Sequence, residues 1–143
     1  MIRHATHDDI PALIELVLGF FANGELDGTG LTPDRDTIEF LITDYIESDQ
    51  HAVFVVEDGG VIIAASAACL VPWVFNYDQK IAMETVVVGE GLAPLRSIRR
   101  AFAQWGKVMG AVASTVSSPP KDKDTRRGGR SLTECTWIKG LEV

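Results

Sequence analysis

Residues 80–96 constrain this chain most: an apolar run passes into a glycine-rich turn and then into a helix-forming segment. Residues 80–88 are β-branched and apolar, with the single acid Glu84 among them and no helix punctuation, which predicts a strand buried on both faces. Gly89 and Gly91 supply backbone freedom for a tight turn, and Pro94 suits the first turn of a helix beginning there. Leu95, Ile98, Phe102, Trp105 and Met109 continue it as one apolar stripe. A helix placed this way aims its unpaired N–H groups and the positive end of its dipole at the turn, a geometry that holds phosphate without a charged side chain. An ordinary strand-turn-helix connection accounts for the same residues, because short glycine motifs are common.

The flanking sequence extends the pattern. Residues 2–5 read as a short strand, and Thr6 or Asp8 starts a helix whose apolar stripe is Ile10, Leu13, Ile14, Val17, Leu18 and Phe21. After a loop rich in Gly, Asp and Thr, Pro33 and Asp34 open a second helix that turns Ile38, Leu41, Ile42, Tyr45 and Ile46 inward. Residues 52–57 and 61–71 are strands joined by an Asp58-Gly59-Gly60 hairpin turn. The expected order is strand, two helices, two or three strands, helix, strand.

In that order, and in the quoted segments IRHATHDDIPALIELV, VFVVEDGGVIIAASAACLV, IAMETVVV and GEGLAPLRSIRRAFAQWGKVMGA, the chain resembles the GCN5-related N-acetyltransferase (GNAT) superfamily from Met1 to about Ser118. In texture it is most similar to small acetyltransferase-like proteins encoded by bacteriophages. The resemblance implies an α/β (α+β) fold of one domain, residues 1–143: a mixed, mostly antiparallel central sheet flanked by helices, with an abbreviated C-terminal part. It further implies an acetyl-CoA-dependent N-acetyltransferase acting on a small-molecule or protein amine.

The family loop reads Arg/Gln-x-x-Gly-x-Gly/Ala, and Val88-Gly89-Glu90-Gly91-Leu92-Ala93 falls on it. Gly91 and Ala93 match; Val88 stands at the Arg/Gln position, and Glu90 brings a negative charge to where the pyrophosphate lies. Like charges about 4 Å apart cost on the order of 1 kcal/mol in water and more when shielded. By resemblance, the backbone of Val86, Val87 and Val88 holds the pantetheine arm, while Gly89, Gly91, Leu92, Ala93, Leu95 and Arg96 form the phosphate turn. Arg96, Arg99 and Arg100 either reach the phosphates or form a solvated face. Glu84 stands where many members place the general base, a role that burial favours by raising a carboxylate's pKa toward neutrality; otherwise it is a solvated or paired strand carboxylate. Trp73 and Phe75 fall in the loop before the fourth strand, where the family lines its acceptor pocket; as residues they serve equally as core or as an interface anchor.

The C-terminal third departs from the family. Its general acid is commonly a tyrosine on a fourth helix, yet no tyrosine follows Tyr77, and residues 119–130 are proline-led, charged and broken by glycine. Thr125, Ser131 or Cys135 stand in only by position, and residues 132–138 supply a last strand. These departures support a second expectation: a GNAT-fold structural or adaptor protein without catalysis, a phage virion component or host-protein-binding factor.

Composition bounds the partners. The 143 residues, 46% hydrophobic, suffice for one core. No apolar run nears the roughly 18 residues that span a bilayer, the first eleven residues lack a secretion-signal layout, and two scattered cysteines suit a reducing compartment, so a cytoplasmic location is expected, in a host cell or virion if phage-encoded. His4, His7 and His51 form no metal pattern. Residues 1–60 carry two basic against thirteen acidic side chains, and residues 61–143 eleven against seven. An acidic lobe beside a basic one suits a cationic amine with an anionic cofactor, or packing of copies into a homo-oligomer or larger assembly. The overall acidity argues against a dedicated nucleic-acid binder.

Overall fold

The computed structural model describes residues 1–24, 26–89, 91–118 and 135–140, the last six and residues 117–118 as backbone. Strand β1 (Ile2–His4) leads through a 3-10 turn (His7–Asp9) into α1 (Ile10–Phe21) and α2 (Arg35–Glu47); β2 (His51–Asp58), β3 (Val61–Trp73) and β4 (Asn76–Gly89) follow, then α3 (Leu92–Val108), β5 (Ala113–Ser118) and β6 (Cys135–Gly140). The strands form one sheet in chain order, antiparallel throughout except for the parallel β4–β5 pair. The chain thus has the mixed, mostly antiparallel sheet flanked by helices that its sequence implies.

Small residues on β3 set the thickness of the molecule. Ala64, Ala65, Ser66, Ala67 and Ala68 place almost no side-chain bulk on either face at the centre of the sheet. Helices can therefore pack closely on both sides. On one face Phe54, Ala68, Leu70 and Ala82 meet Phe102 and Ala111 under α3. On the other, Val53, Val55, Ala65 and Val88 meet Leu13 of α1, with Ile42, Tyr45 and Ile46 of α2 packed at the margin.

Local signals explain most boundaries. The N-terminal turn is closed by a capping box, in which Asp9 accepts from the Thr6 backbone N–H at 2.7 Å and from its hydroxyl at 3.2 Å. Asp34 caps α2 by accepting from the Thr37 N–H at 2.9 Å. Gly59 and Gly60, with φ of 59° and 82°, make a two-residue turn whose paired positive φ angles match the twist of the flanking strands.

Five expectations are corrected. β4 is covered only in part on its α1 face, where Val88 is buried but Met83 and Val86 are exposed, because the helices on that side do not extend across the whole sheet. The anticipated loop before it is a hairpin: β3 runs on to Trp73, β4 starts at Asn76, and Val74 and Phe75 form the turn. Leu41 of α2 is exposed, since that helix buries no residue fully. The third helix begins at Leu92, two residues before Pro94, because Gly91 takes the capping position and the proline's fixed φ fits within the first turn. Two strands rather than one follow α3, with β6 starting at Cys135; residues 132–134 and the expected short fourth helix lie outside the described residues.

The N-terminal strand is tied down electrostatically. Arg3 donates to both carboxylate oxygens of Asp9, at 2.7 and 2.8 Å, and also to Glu57 on β2. The Arg3 guanidinium holds the buried Asp9 carboxyl at about 2, below its ordinary 3.8. A carboxyl depressed in the folded state stabilises above its unfolded pKa, and that stabilisation is lost as pH falls through its folded one. Acid titration of stability is expected to show a loss of roughly 1–2 kcal/mol between about pH 4 and pH 2 that Asp9→Asn abolishes; an unchanged acid limb in the variant would show that the contact contributes nothing.

Candidate functional site

The site is built by a strand that loses its neighbour. β4 pairs with β3 along nearly its whole length but with β5 only where Ile81, Ala82 and Met83 face Ala113, Ser114 and Thr115. Beyond Thr115, β5 continues alongside β6. Two parallel strands therefore diverge, and residues 84–89 turn one backbone edge toward the wedge between them. Such an edge accepts an extended chain by strand-like hydrogen bonds.

A bulge then redirects the side chains. Ala67 pairs with Val86 but Ala68 with Glu84, so Thr85 is the extra residue, its hydroxyl donating to the Ala67 carbonyl at 3.1 Å. In a regular strand Glu84, Val86 and Val88 would share a face. Here Glu84 lies with Ala68 and Ala82 on the α3 side, whereas Val86 and Val88 lie with Ala67 and Ala65 on the α1 side. Glu84 is 3% exposed beneath a helix whose Ile98 and Phe102 are fully buried. Ser66 and Ser114 share that face and are also buried, making a polar seam under α3. Neither the bulge nor this seam is anticipated by the sequence reading; a lone Thr between Glu84 and a Val run, and a lone Ser in an alanine run, are the only signals.

The turn divides its glycines between two tasks. Gly89 has φ of 121°, and a Cβ there would stand 2.5 Å from the Ala64 Cβ and 2.7 Å from the Ile63 carbonyl oxygen. Its hydrogen is required by backbone packing of β4 on β3. Gly91, with φ of 96°, caps α3; the first turn carries no acid and no side chain caps it. The N–H groups of Gly91, Leu92 and Ala93 are the orphan donors of this terminus, Pro94 having none. Leu92, Ala93 and Arg96 are exposed and Leu95 half-buried. Val88 is 2% exposed in the α1 core, so the first position of the loop motif packs rather than presenting a polar group. Glu90 lies outside the described residues.

The aromatic candidates sit elsewhere. Trp73 is five residues beyond Ala68, the partner of Glu84, which places it roughly 17 Å along β3. Trp73 is 41% and Phe75 82% exposed, and their rings stack edge-on at 5.6 Å. They are not core residues. The structure thus brings together Glu84, residues 85–89 and the α3 N-terminus, and holds Trp73 and Phe75 apart from them. Among the described residues no cluster of His, Cys, Asp and Glu could hold a metal, and no helix is long and apolar enough to cross a membrane.

No family model and no curated protein sequence matches the chain. Solved structures do. A ribosomal-protein-alanine N-acetyltransferase from Brucella melitensis superposes with a TM-score of 0.73 at 16% identity over 99% of each chain. An acetyltransferase of the GNAT family from Streptococcus pneumoniae gives 0.70 at 13% identity, again over 99% of each. A predicted acetyltransferase with acetyl-CoA from Clostridium acetobutylicum gives 0.59 at 16% identity over 78% of this chain and 75% of that one. At such identities the likeness is one of fold, and the fold is that of the GCN5-related N-acetyltransferases.

Replacing Gly89 by Ala is expected to destabilise the protein by roughly 2–5 kcal/mol in denaturant unfolding, from backbone strain and overpacking against Ala64. A loss below about 1 kcal/mol would show that β4 can shift away at little cost.

Proposed function

We propose that this protein is an acetyl-CoA-dependent N-acetyltransferase acting on an amine. The observation that carries the reading is the coincidence of a β4 edge unpaired among the described residues with a helix N-terminus that no side chain caps, at the open end of the β4–β5 wedge. An anionic ligand with an extended arm suits both halves at once. The Brucella and Clostridium structures, whose names carry N-acetyl transfer and acetyl-CoA, share the fold and support the same reading.

Acetyl-CoA would supply the acetyl thioester. The N–H groups of Gly91, Leu92 and Ala93 donate to its pyrophosphate oxygens, with Leu95 and Arg96 flanking them. The backbone of residues 85–88 takes the pantetheine arm in place of a neighbouring strand and directs an N–H at the thioester carbonyl. Glu84 would accept the proton of an attacking amine directly or through one water, and that proton or one from solvent would neutralise the coenzyme A thiolate released when the C–S bond breaks. Trp73 and Phe75 stand too far along β3 to line an acceptor held near Glu84.

A second reading, a GNAT-fold scaffold without catalysis, is favoured by one observation: Val88, at the motif position where the family carries Arg or Gln, is committed to the core. Calorimetric titration with acetyl-CoA separates the two. Micromolar binding is expected, weakened at least tenfold by Ala93→Glu, a change that the helix dipole tolerates or favours and that repels phosphate. Glu84→Gln is expected to leave binding in place and remove most of the turnover. No binding at millimolar acetyl-CoA would exclude the transferase reading.

A further inference from the structure

The β3–β4 hairpin projects beyond the sheet and carries an apolar tip. The last β2 partner of β3 is Cys69, and the last β5 partner of β4 is Ile81, opposite Val71, so Trp73 stands four residues, roughly 13 Å, past β2 and two residues past β5. Pairing passes from Pro72–Lys80 directly to Trp73–Asn76, which throws Tyr77, Asp78 and Gln79 out as a wide bulge. Val74 is 66%, Phe75 82% and Tyr77 72% exposed beside the half-exposed Trp73. Only the tip, from Trp73 to Gln79, has no neighbouring strand on either side among the described residues, and exposed aromatics grouped on such a tip mark a contact surface.

The same chain holds a recess that such a tip fits. Ile2 and Phe54, on the first two strands, and Ala101, Trp105 and Val108, on α3, enclose an open groove of about 310 Å³ with a largely apolar lining. That volume lies at the low end of the ~300–1,000 Å³ of clefts that take organic groups, so it suits one or two aromatic rings. The exposed Lys107 precedes the lining residue Val108 at the end of α3, while Asp78 is the one charged residue between positions 71 and 79. Among the described residues neither Lys107 nor Asp78 enters a salt bridge.

Tip and groove lie at the same end of the molecule. β1 ends and β2 begins there, and α3, which starts beyond the far end of β4, finishes there with Val108. β1 and β3 are two strand spacings apart, about 10 Å. A two-fold axis between them carries each tip to the other copy's groove, so the contacts are reciprocal and the assembly closes. An anionic lipid surface is a poorer occupant, because residues 70–79 of the hairpin include no basic residue and the chain has a net charge of −7.

We propose that this protein forms a two-fold dimer in which the Trp73–Phe75 tip of each copy occupies the Ile2–Trp105 groove of the other, with Asp78 facing Lys107 across the rim. Sedimentation of the purified full chain tests this with two variants at exposed positions, Phe75→Asp on the tip and Val108→Glu on the groove, each checked for native circular dichroism. At about 100 µM the wild type is expected to be mainly dimeric, and each variant alone monomeric, its apparent Kd weakened at least tenfold. An equimolar mixture of the two regains dimers, because one intact tip then meets one intact groove. A wild-type monomer at that concentration, a dimer insensitive to Phe75→Asp, or a mixture that stays monomeric would each overturn the proposal.

Discussion

The parting of β5 from β4 after the Met83–Thr115 pair is the constraint on which the functional geometry depends. Had the two strands stayed paired to their ends, every β4 amide and carbonyl would be spent inside the sheet, and the N-terminus of α3 would face a closed wall. Because β5 turns away to pair with β6, the same residues keep an edge that no described strand pairs just where α3 begins. Backbone groups left unpaired at an interior position are costly unless water or a ligand satisfies them. An opening of this kind is therefore maintained by the packing around it, above all by α3 seated on Phe54, Ala68 and Ala82.

Two small features adjust that opening. Thr85 inserts an extra residue and sends Glu84 and Val86 to opposite faces, so Glu84 is carried under α3 while Val86 and Val88 lie on the α1 side. Gly89 lets β4 press its backbone against Ala64 immediately before the turn. Together they fix where the strand ends and how the helix enters. At the opposite end the hairpin overshoots its neighbours, and the part that leaves the sheet is also the part that exposes Trp73, Phe75 and Tyr77. The proposed ligand site and the proposed self-association surface thus fall to different ends of the same two strands.

Much of this was legible in the residues. The strand-turn-helix around Gly89 and Gly91, the Gly59-Gly60 hairpin, and the stripes of α1 and α3 follow from periodicity and turn chemistry that act locally. What escaped depends on neighbours several strands away. Whether Met83 and Val86 are covered is decided by how far α1 and α2 extend across the sheet, not by β4 itself. The Thr85 bulge leaves no mark in the mostly apolar residues 81–88, because it exists only relative to the register of β3. Likewise the long hairpin around Val74 and Phe75 reads as loop, since Pro72 and Asn76 are turn-forming residues that here sit at the ends of strands. The charge carried by Glu90 and the polar candidates between residues 119 and 134 belong to segments outside the described residues.

The central claim is that the wedge between β4 and β5, capped by the α3 N-terminus, is the ligand site. Amide-resolved NMR of the protein titrated with coenzyme A tests it directly. Shifts concentrated at residues 85–88 and at Gly91, Leu92 and Ala93, saturating together, are the predicted result. Saturating shifts confined to other parts of the chain, or none at millimolar ligand, would contradict it.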